Sequence, residues 1–221
     1  MIRMKTFDVI FYSMMFIVLF VVMLIKMDTL KSDIVRRDLK IKRLECSLKE
    51  ELFKYNEQNK YLNIVDSVNR VTKNASLFEI YGISKIISDY ADKYKDKGLT
   101  VGKILSLIEI ESAFDVKAIG QNQDYGLMQC RISTFNYWLP KLGYGYFTKE
   151  KALHPFINLH VGIHELMRIR QYWLDQKIDD WLIVFAMYNW GEQNTKNGKA
   201  TVAYALKIMK TMSKWEKKGL K

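Results

Sequence analysis

At 221 residues the chain can enclose one good core with appendages, and it is too short for two large domains. Its net charge of +11 is spread out: fourteen basic against nine acidic residues in 1–75, and twenty-one against fifteen in 76–221. Such a balance suits a polyanionic partner, yet no Lys/Arg-rich stripe or nucleic-acid motif occurs, so nucleic acid is not an expected partner, and Cys46 and Cys130 make no disulfide framework.

Residues 9–25 read VIFYSMMFIVLFVVMLI, without a charge. With Phe7 and a snorkelling Lys26 they predict a single transmembrane helix over 7–26. The following KMDTLKSD offers no small-residue cleavage site, so the expectation is an uncleaved membrane anchor for residues 1–26. Flanking charges leave the orientation open.

A helical stalk is expected over 27–75. No Gly or Pro interrupts 27–65, and Met27, Ile34, Ile41, Leu48, Tyr55 and Leu62 recur at every seventh position. The matching d positions are mixed, Leu30, Leu44 and Val65 against Arg37, Glu51 and Gln58. One good seam and one half-good seam fit a marginal coiled coil, with weak homodimer formation through the stalk, or equally a single solvated helix.

Residues 76–221 carry the pattern of a globular, helical domain. Ser76 with Glu79 forms a capping-box pair, Gly98 ends that helix, and Thr100 can cap the next, VGKILSLIEIES. A glycine-bearing, loop-rich region follows over 115–150. Helices are then predicted over about 156–175 and 180–190, the second capped at Asp179-Asp180 and stopped at Gly191. A last helix starts near Thr201. Strand signals are weak, so any sheet is small.

On the helix after Thr100, Val101, Ile104, Leu105, Leu107 and Ile108 share one broad face. Glu111 points into the middle of that face, whereas Glu109 lies towards the polar side. Burying a carboxylate is unfavourable, and desolvation raises its pKa until it becomes a proton donor near neutral pH, as glycosidic cleavage requires. A helix-end carboxylate paired with a nearby Lys or Arg is the competing reading, and local pattern alone does not separate the two.

The surroundings of Glu111 separate them. Glu111-Ser112-Ala113-Phe114, Ala118, Gly126-Leu127-Met128-Gln129, Asn158 with Gly162 and Leu166, Ala186-Met187-Tyr188-Asn189-Trp190-Gly191, and Tyr204 resemble the signature of soluble-type (SLT) lytic transglycosylases of the lysozyme-like superfamily. The resemblance covers about residues 78–212, in the family's order. It implies a mainly α, lysozyme-like domain with at most a small β element, here set behind the transmembrane helix and stalk.

The resemblance also implies an activity: cleavage of the β-1,4 bond between N-acetylmuramic acid and N-acetylglucosamine in peptidoglycan, leaving 1,6-anhydromuramic ends. Glu111 would be acid and then base. Met128 and Gln129 would line the glycan groove, Tyr188 and Asn189 would face Glu111 across the cleft with Tyr188 as its expected hydrogen-bond partner, and Tyr204 would close the back. Ser112, Asp124 and Tyr125 complete the expected substrate contacts. Such enzymes need no metal and no organic cofactor. Peptidoglycan strands and a membrane are then the expected partners, with the domain on the outer side, or on a virion if the chain comes from a phage.

Two departures stand out. Gly120 occupies the position at which many family members carry a serine credited with holding substrate. Asp124-Tyr125-Gly126 also resembles the segment of animal-type lysozymes in which the aspartate is the second catalytic carboxylate, so a muramidase using Glu111 and Asp124 is an alternative, and an ordinary turn role for Asp124 another. An inactive glycan-binding scaffold is a further rival, disfavoured by an intact Glu-Ser motif. His160 and His164 lie one turn apart beside Glu165, but only a loosely placed His154 could complete a zinc set, so no metal site is expected. Trp190 stands where the family has a small residue, free to stack on a sugar or to pack in the core.

Overall fold

The computed structural model describes residues 6–191 and 202–220, with side chains from residue 14 onward. Among them α-helices run Thr6–Val71 (α1), Leu77–Lys93 (α2), Val101–Ser112 (α3), Ile132–Trp138 (α4), Lys149–Leu153 (α5), Pro155–Asp175 (α6), Trp181–Trp190 (α7) and Val202–Glu216 (α8). One antiparallel hairpin, Asp124–Tyr125 (β1) with Cys130–Arg131 (β2), pairs Asp124 with Arg131 and Tyr125 with Cys130. The chain divides into two compact units, residues 1–57 and 58–221.

In the first unit the expected anchor is corrected. Side chains of residues 1–13, which hold the start of the expected span, lie outside the described residues. Among the described residues no helix is long and apolar enough to cross a membrane. The described side chains from 14 to 25 are apolar and exposed. Lys26, Asp28 and Lys31 follow at once. Single-pass anchoring, the membrane as partner and the localisation built on them are withdrawn with the span. Farther along this unit, the heptad side chains Ile34, Ile41, Leu48 and Tyr55 are all exposed.

The second unit begins within α1. Residues 58–71, read from the sequence as stalk, place Ile64 and Val68 in the core as an i,i+4 pair. Leu62, the next heptad position, is exposed, so the seven-residue pattern stops describing the buried face here. The capping box of α2 forms as read: the Glu79 N–H donates to Ser76 Oγ at 3.2 Å and the Ser76 N–H to Glu79 Oε2 at 2.7 Å. Thr100 caps α3 by accepting from the Lys103 N–H at 3.2 Å. Asp180 accepts from the Leu182 N–H at 2.8 Å at the start of α7.

Helix α3 is the most enclosed element. Val101, Ile104, Leu105, Leu107 and Ile108 are all buried, and each contributes about 1.5–3 kcal/mol by leaving water. Its one polar core residue, Ser106, donates to the Gly102 carbonyl at 2.6 Å. The helix packs against α2 and α8, while α6 packs against α2, α4, α5, α7 and β2.

From α6, the buried Asn158 reaches the hairpin. Its Nδ2 donates to the carbonyls of Tyr125 at 2.7 Å and Ala152 at 2.9 Å, and its Oδ1 accepts from the Met128 N–H at 2.9 Å. Asn158→Ala would orphan three buried backbone groups, each loss costing on the order of 1–3 kcal/mol before relaxation. Urea denaturation is expected to show a loss of about 3 kcal/mol or more. A change below about 1 kcal/mol would mean that water or backbone movement replaces these bonds.

Candidate active site

Glu111 sits in the last turn of α3, and the helix ends abruptly behind it. Ala113 and Phe114 take left-handed backbone, φ 49° and 61°, with the Ala113 N–H bonded to the Glu109 carbonyl at 3.2 Å. Phe114 then turns into the core. Residues without a glycine's freedom hold such angles only where packing enforces them. The result fixes the half-buried carboxyl of Glu111 on the wall of a cavity of about 230 Å3. Glu109 turns the other way and pairs with Lys214 at 2.8 Å.

Burial pushes the Glu111 carboxyl up from its ordinary 4.5 to about 7. A hydrogen bond donated by the Tyr204 hydroxyl to Oε1 pulls the other way, the charge of Asp124 raises it further, and that of Arg131 lowers it. The hydroxyl partner of Glu111 is therefore Tyr204, from α8. Tyr188, the partner expected from the resemblance, instead donates to the Met128 carbonyl at 2.9 Å and lies 3.7 Å from Cys130 Sγ. Burial holds the phenols of both tyrosines above their usual range and pushes the Cys130 thiol up to about 12.

Of the other residues read from the sequence, Asp124, Gln129, Tyr188 and Asn189 line the cavity with Glu111. Gln129 takes φ 45°, and its side-chain Nε2 donates to the carbonyls of Gly126 at 2.9 Å and Ala118 at 3.3 Å. Met128 and Tyr125 are not among the residues lining it. The side chain of Met128 is wholly buried against Gly162, where an added Cβ would meet its Sδ at 2.5 Å. The ring of Tyr125 is buried too, its centroid 5.9 Å from that of Phe147. Ser112 is a strut: its hydroxyl lies 2.9 Å from the Leu127 carbonyl and 3.1 Å from that of Ile108, one proton serving both.

Sequence reasoning missed Arg131, Glu165 and Arg168 on the cavity wall. Arg131 Nε donates to Asp124 Oδ1 at 3.2 Å. Arg168 grips Glu165 through Nε at 3.0 Å and Nη2 at 2.8 Å, and Trp138 Nε1 donates to the same carboxylate at 2.9 Å. A signal for the first pair was present, since opposite charges flanking a glycine turn are what a short hairpin brings face to face. His160 and His164 flank the ring of Tyr90 edge-on, at 5.6 and 5.4 Å between centroids, and burial lowers the pKa of both. Trp190, at the end of α7, is 37% exposed and not part of the core.

Comparison with known proteins gives a family and two solved structures. The family model described as the transglycosylase SLT domain matches residues 89–212, more than half of the chain. An inactive mutant of the lytic transglycosylase Slt from Pseudomonas aeruginosa aligns at 18% identity and TM-score 0.43, covering 56% of this chain and 21% of that one. The 70 kDa soluble lytic transglycosylase from Escherichia coli aligns at 21% identity and TM-score 0.41, covering 60% and 22%. The chain thus spans about a fifth of the length of either. No curated protein matches it.

The raised pKa of Glu111 has a consequence for stability. The folded state holds this proton more tightly than the unfolded chain does, so the contribution is fully present below about pH 4.5 and is lost as pH rises through about 7. Glu111→Gln keeps the acceptor for Tyr204 and cannot ionise. It is expected to be more stable than the wild type by about 1–3 kcal/mol at pH 8, and equal to it at pH 4. Equal stability at both pH values, in thermal or urea unfolding, would show that water reaches the carboxylate freely.

Proposed function

We propose the reaction from one premise: this chain belongs to the transglycosylase SLT family. On this reading it is a peptidoglycan lytic transglycosylase, cleaving the β-1,4 bond between N-acetylmuramic acid and N-acetylglucosamine. The observation that carries it is the cavity-lining carboxyl of Glu111, desolvated until its pKa is about 7. Such a group is part protonated and part ionised at neutral pH, as a residue acting first as acid and then as base requires.

In the first step Glu111 gives its proton to the glycosidic oxygen, the bond from that oxygen to C1 of the muramic sugar breaks, and the glucosamine side leaves with a hydroxyl. In the second, the Glu111 carboxylate takes the proton of the C6 hydroxyl while that oxygen bonds to C1. The ring closes as a 1,6-anhydro sugar, no water is consumed, and Glu111 regains its proton. The Tyr204 hydroxyl supports this cycle by holding Oε1 in one orientation. Gln129 and Asn189 serve the glycan from the cavity wall, and Ser112 and Tyr188 act through the backbone they brace.

One observation favours a second reading, a muramidase: Asp124 lines the same cavity and its charge acts on Glu111. Against it, the Asp124 carboxylate is engaged by Arg131. A retaining hydrolase uses its second carboxylate as a nucleophile about 5–5.5 Å from the acid, and pairing with a guanidinium weakens a carboxylate in that role.

Purified peptidoglycan digested with the full chain, with the fragments read by mass spectrometry, separates the readings. The expected products carry 1,6-anhydromuramic ends. Glu111→Gln is expected to lower the rate about a hundredfold or more while the domain stays folded and binds glycan. Reducing muramic ends, lost in Asp124→Asn, would make the protein a muramidase instead.

A further inference from the structure

We infer that Arg131 is a positioning residue for this reaction: paired across the hairpin with Asp124, it holds that carboxylate on the cavity wall and offsets its negative charge beside Glu111. The inference rests on the reading of Glu111 as the acid and deepens it.

The geometry begins with the register. Asp124 and Arg131 are directly opposed partners in the β1–β2 hairpin, so their side chains leave the same face. Arg131 Nε lies 3.2 Å from Asp124 Oδ1, and both residues line the cavity that Glu111 lines. The pair is asymmetric in burial: the Asp124 side chain is 19% exposed, the Arg131 side chain 56%. The carboxylate is sunk into the wall and the guanidinium covers it from the solvent side.

Two carboxylates in one partly desolvated cavity cannot both ionise cheaply. The negative charge of Asp124 favours the protonated form of Glu111, and the Arg131 guanidinium offsets it, so Glu111 gives up its proton more readily than beside a lone carboxylate.

The other groups facing Glu111 do not supply this compensation. From α8, Tyr204 donates a neutral hydroxyl; from α7, Tyr188 is a buried phenol; from β2, Cys130 is a buried thiol. From α6, Glu165 and Arg168 form their own bidentate pair. Burial and the Tyr204 hydrogen bond act most strongly on Glu111; among the described residues the Asp124–Arg131 pair adds two charges that act on it with opposite sign.

Opposite signs make the inference testable by a double-mutant cycle in which the pH profile is the readout. Glu111 must be protonated to act, so the rate on purified peptidoglycan falls as pH rises through its pKa. Asp124→Asn leaves the Arg131 charge facing Glu111, favours its carboxylate, and is expected to move that alkaline limb down by about one pH unit. Arg131→Gln keeps a hydrogen-bond donor for Asp124 but removes the cation, and is expected to move the limb up by about half to one unit. The double variant is expected to return to within a few tenths of the wild type.

Uniformly lowered rates with an unmoved limb, or a double variant no better than the worse single one, would overturn the role of Arg131. A carboxyl titration of Glu111 by carbon NMR in the same four proteins reads the effect without catalysis. If Glu111→Gln kept full activity, the reading of the acid would fail. The titration would still show whether the pair controls the proton on Glu111, so the two failures stay distinguishable.

Discussion

Asn158 makes three hydrogen bonds from a fully buried position, two to backbone carbonyls and one to a backbone N–H, and two of these hold the turn between β1 and β2. That turn cannot satisfy itself. Gly126 and Gln129 both have positive φ, 70° and 45°, and a two-residue ladder supplies few partners. Side chains from three helices make up the deficit: Ser112 of α3 on the Leu127 carbonyl, Asn158 of α6 on Met128 N–H, and Tyr188 of α7 on the Met128 carbonyl. Gly126 is obligatory in this arrangement, because a Cβ there would stand 2.4 Å from Asn158 Nδ2. The hairpin in turn carries Asp124, Gln129 and Arg131, so this part of the cavity's polar wall is positioned by the side chains that brace the turn.

The acidic centre is built in the opposite way, from an apolar helix. Because α3 is nearly all core, its last turn delivers Glu111 to the cavity with little solvent at its back. Two effects then point the same way. Desolvation favours the neutral acid, and the negative end of the helix dipole, whose last carbonyls lie in that turn, disfavours a carboxylate beside them. Tyr204 opposes both by donating to the charged form, and the balance falls near neutral pH rather than far above it. Fold and chemistry meet at this residue, where what costs stability at high pH is what supplies a proton.

Much of this was legible because its causes are local. The caps at Ser76, Thr100 and Asp180 form as the sequence indicates, and the apolar face of α3 with Glu111 at its end follows from helical periodicity alone. The short helices α4 and α5, of seven and five residues, were not legible within the loop-rich stretch. Neither is long enough to show a period, and the residue before α4, Arg131, makes no side-chain cap. Which tyrosine serves Glu111 depends on where α7 and α8 pack, and Met128 turns inward because Gly162 opens space on α6. The N-terminal run reads as a span from its apolar composition, whereas among the described residues no helix is long and apolar enough to cross a membrane.

Gly120 shows how a departure from the family pattern becomes intelligible once its neighbours are placed. Its N–H donates to the Asp124 carbonyl at 2.8 Å, and an added Cβ would lie 2.7 Å from Gln129 Oε1 and 3.3 Å from Asp124 Cβ. The far end of a glutamine could ordinarily swing aside. Here the Gln129 amide is tied by Nε2 to the carbonyls of Gly126 and Ala118, so yielding to a serine would break bonds in the strained turn itself. The glycine and the folded-back glutamine are therefore one solution, in which the side-chain amide of Gln129 occupies the space a serine hydroxyl would fill. Restoring the serine alone would set hydroxyl against amide, and a substitution there is intelligible only when position 129 changes with it.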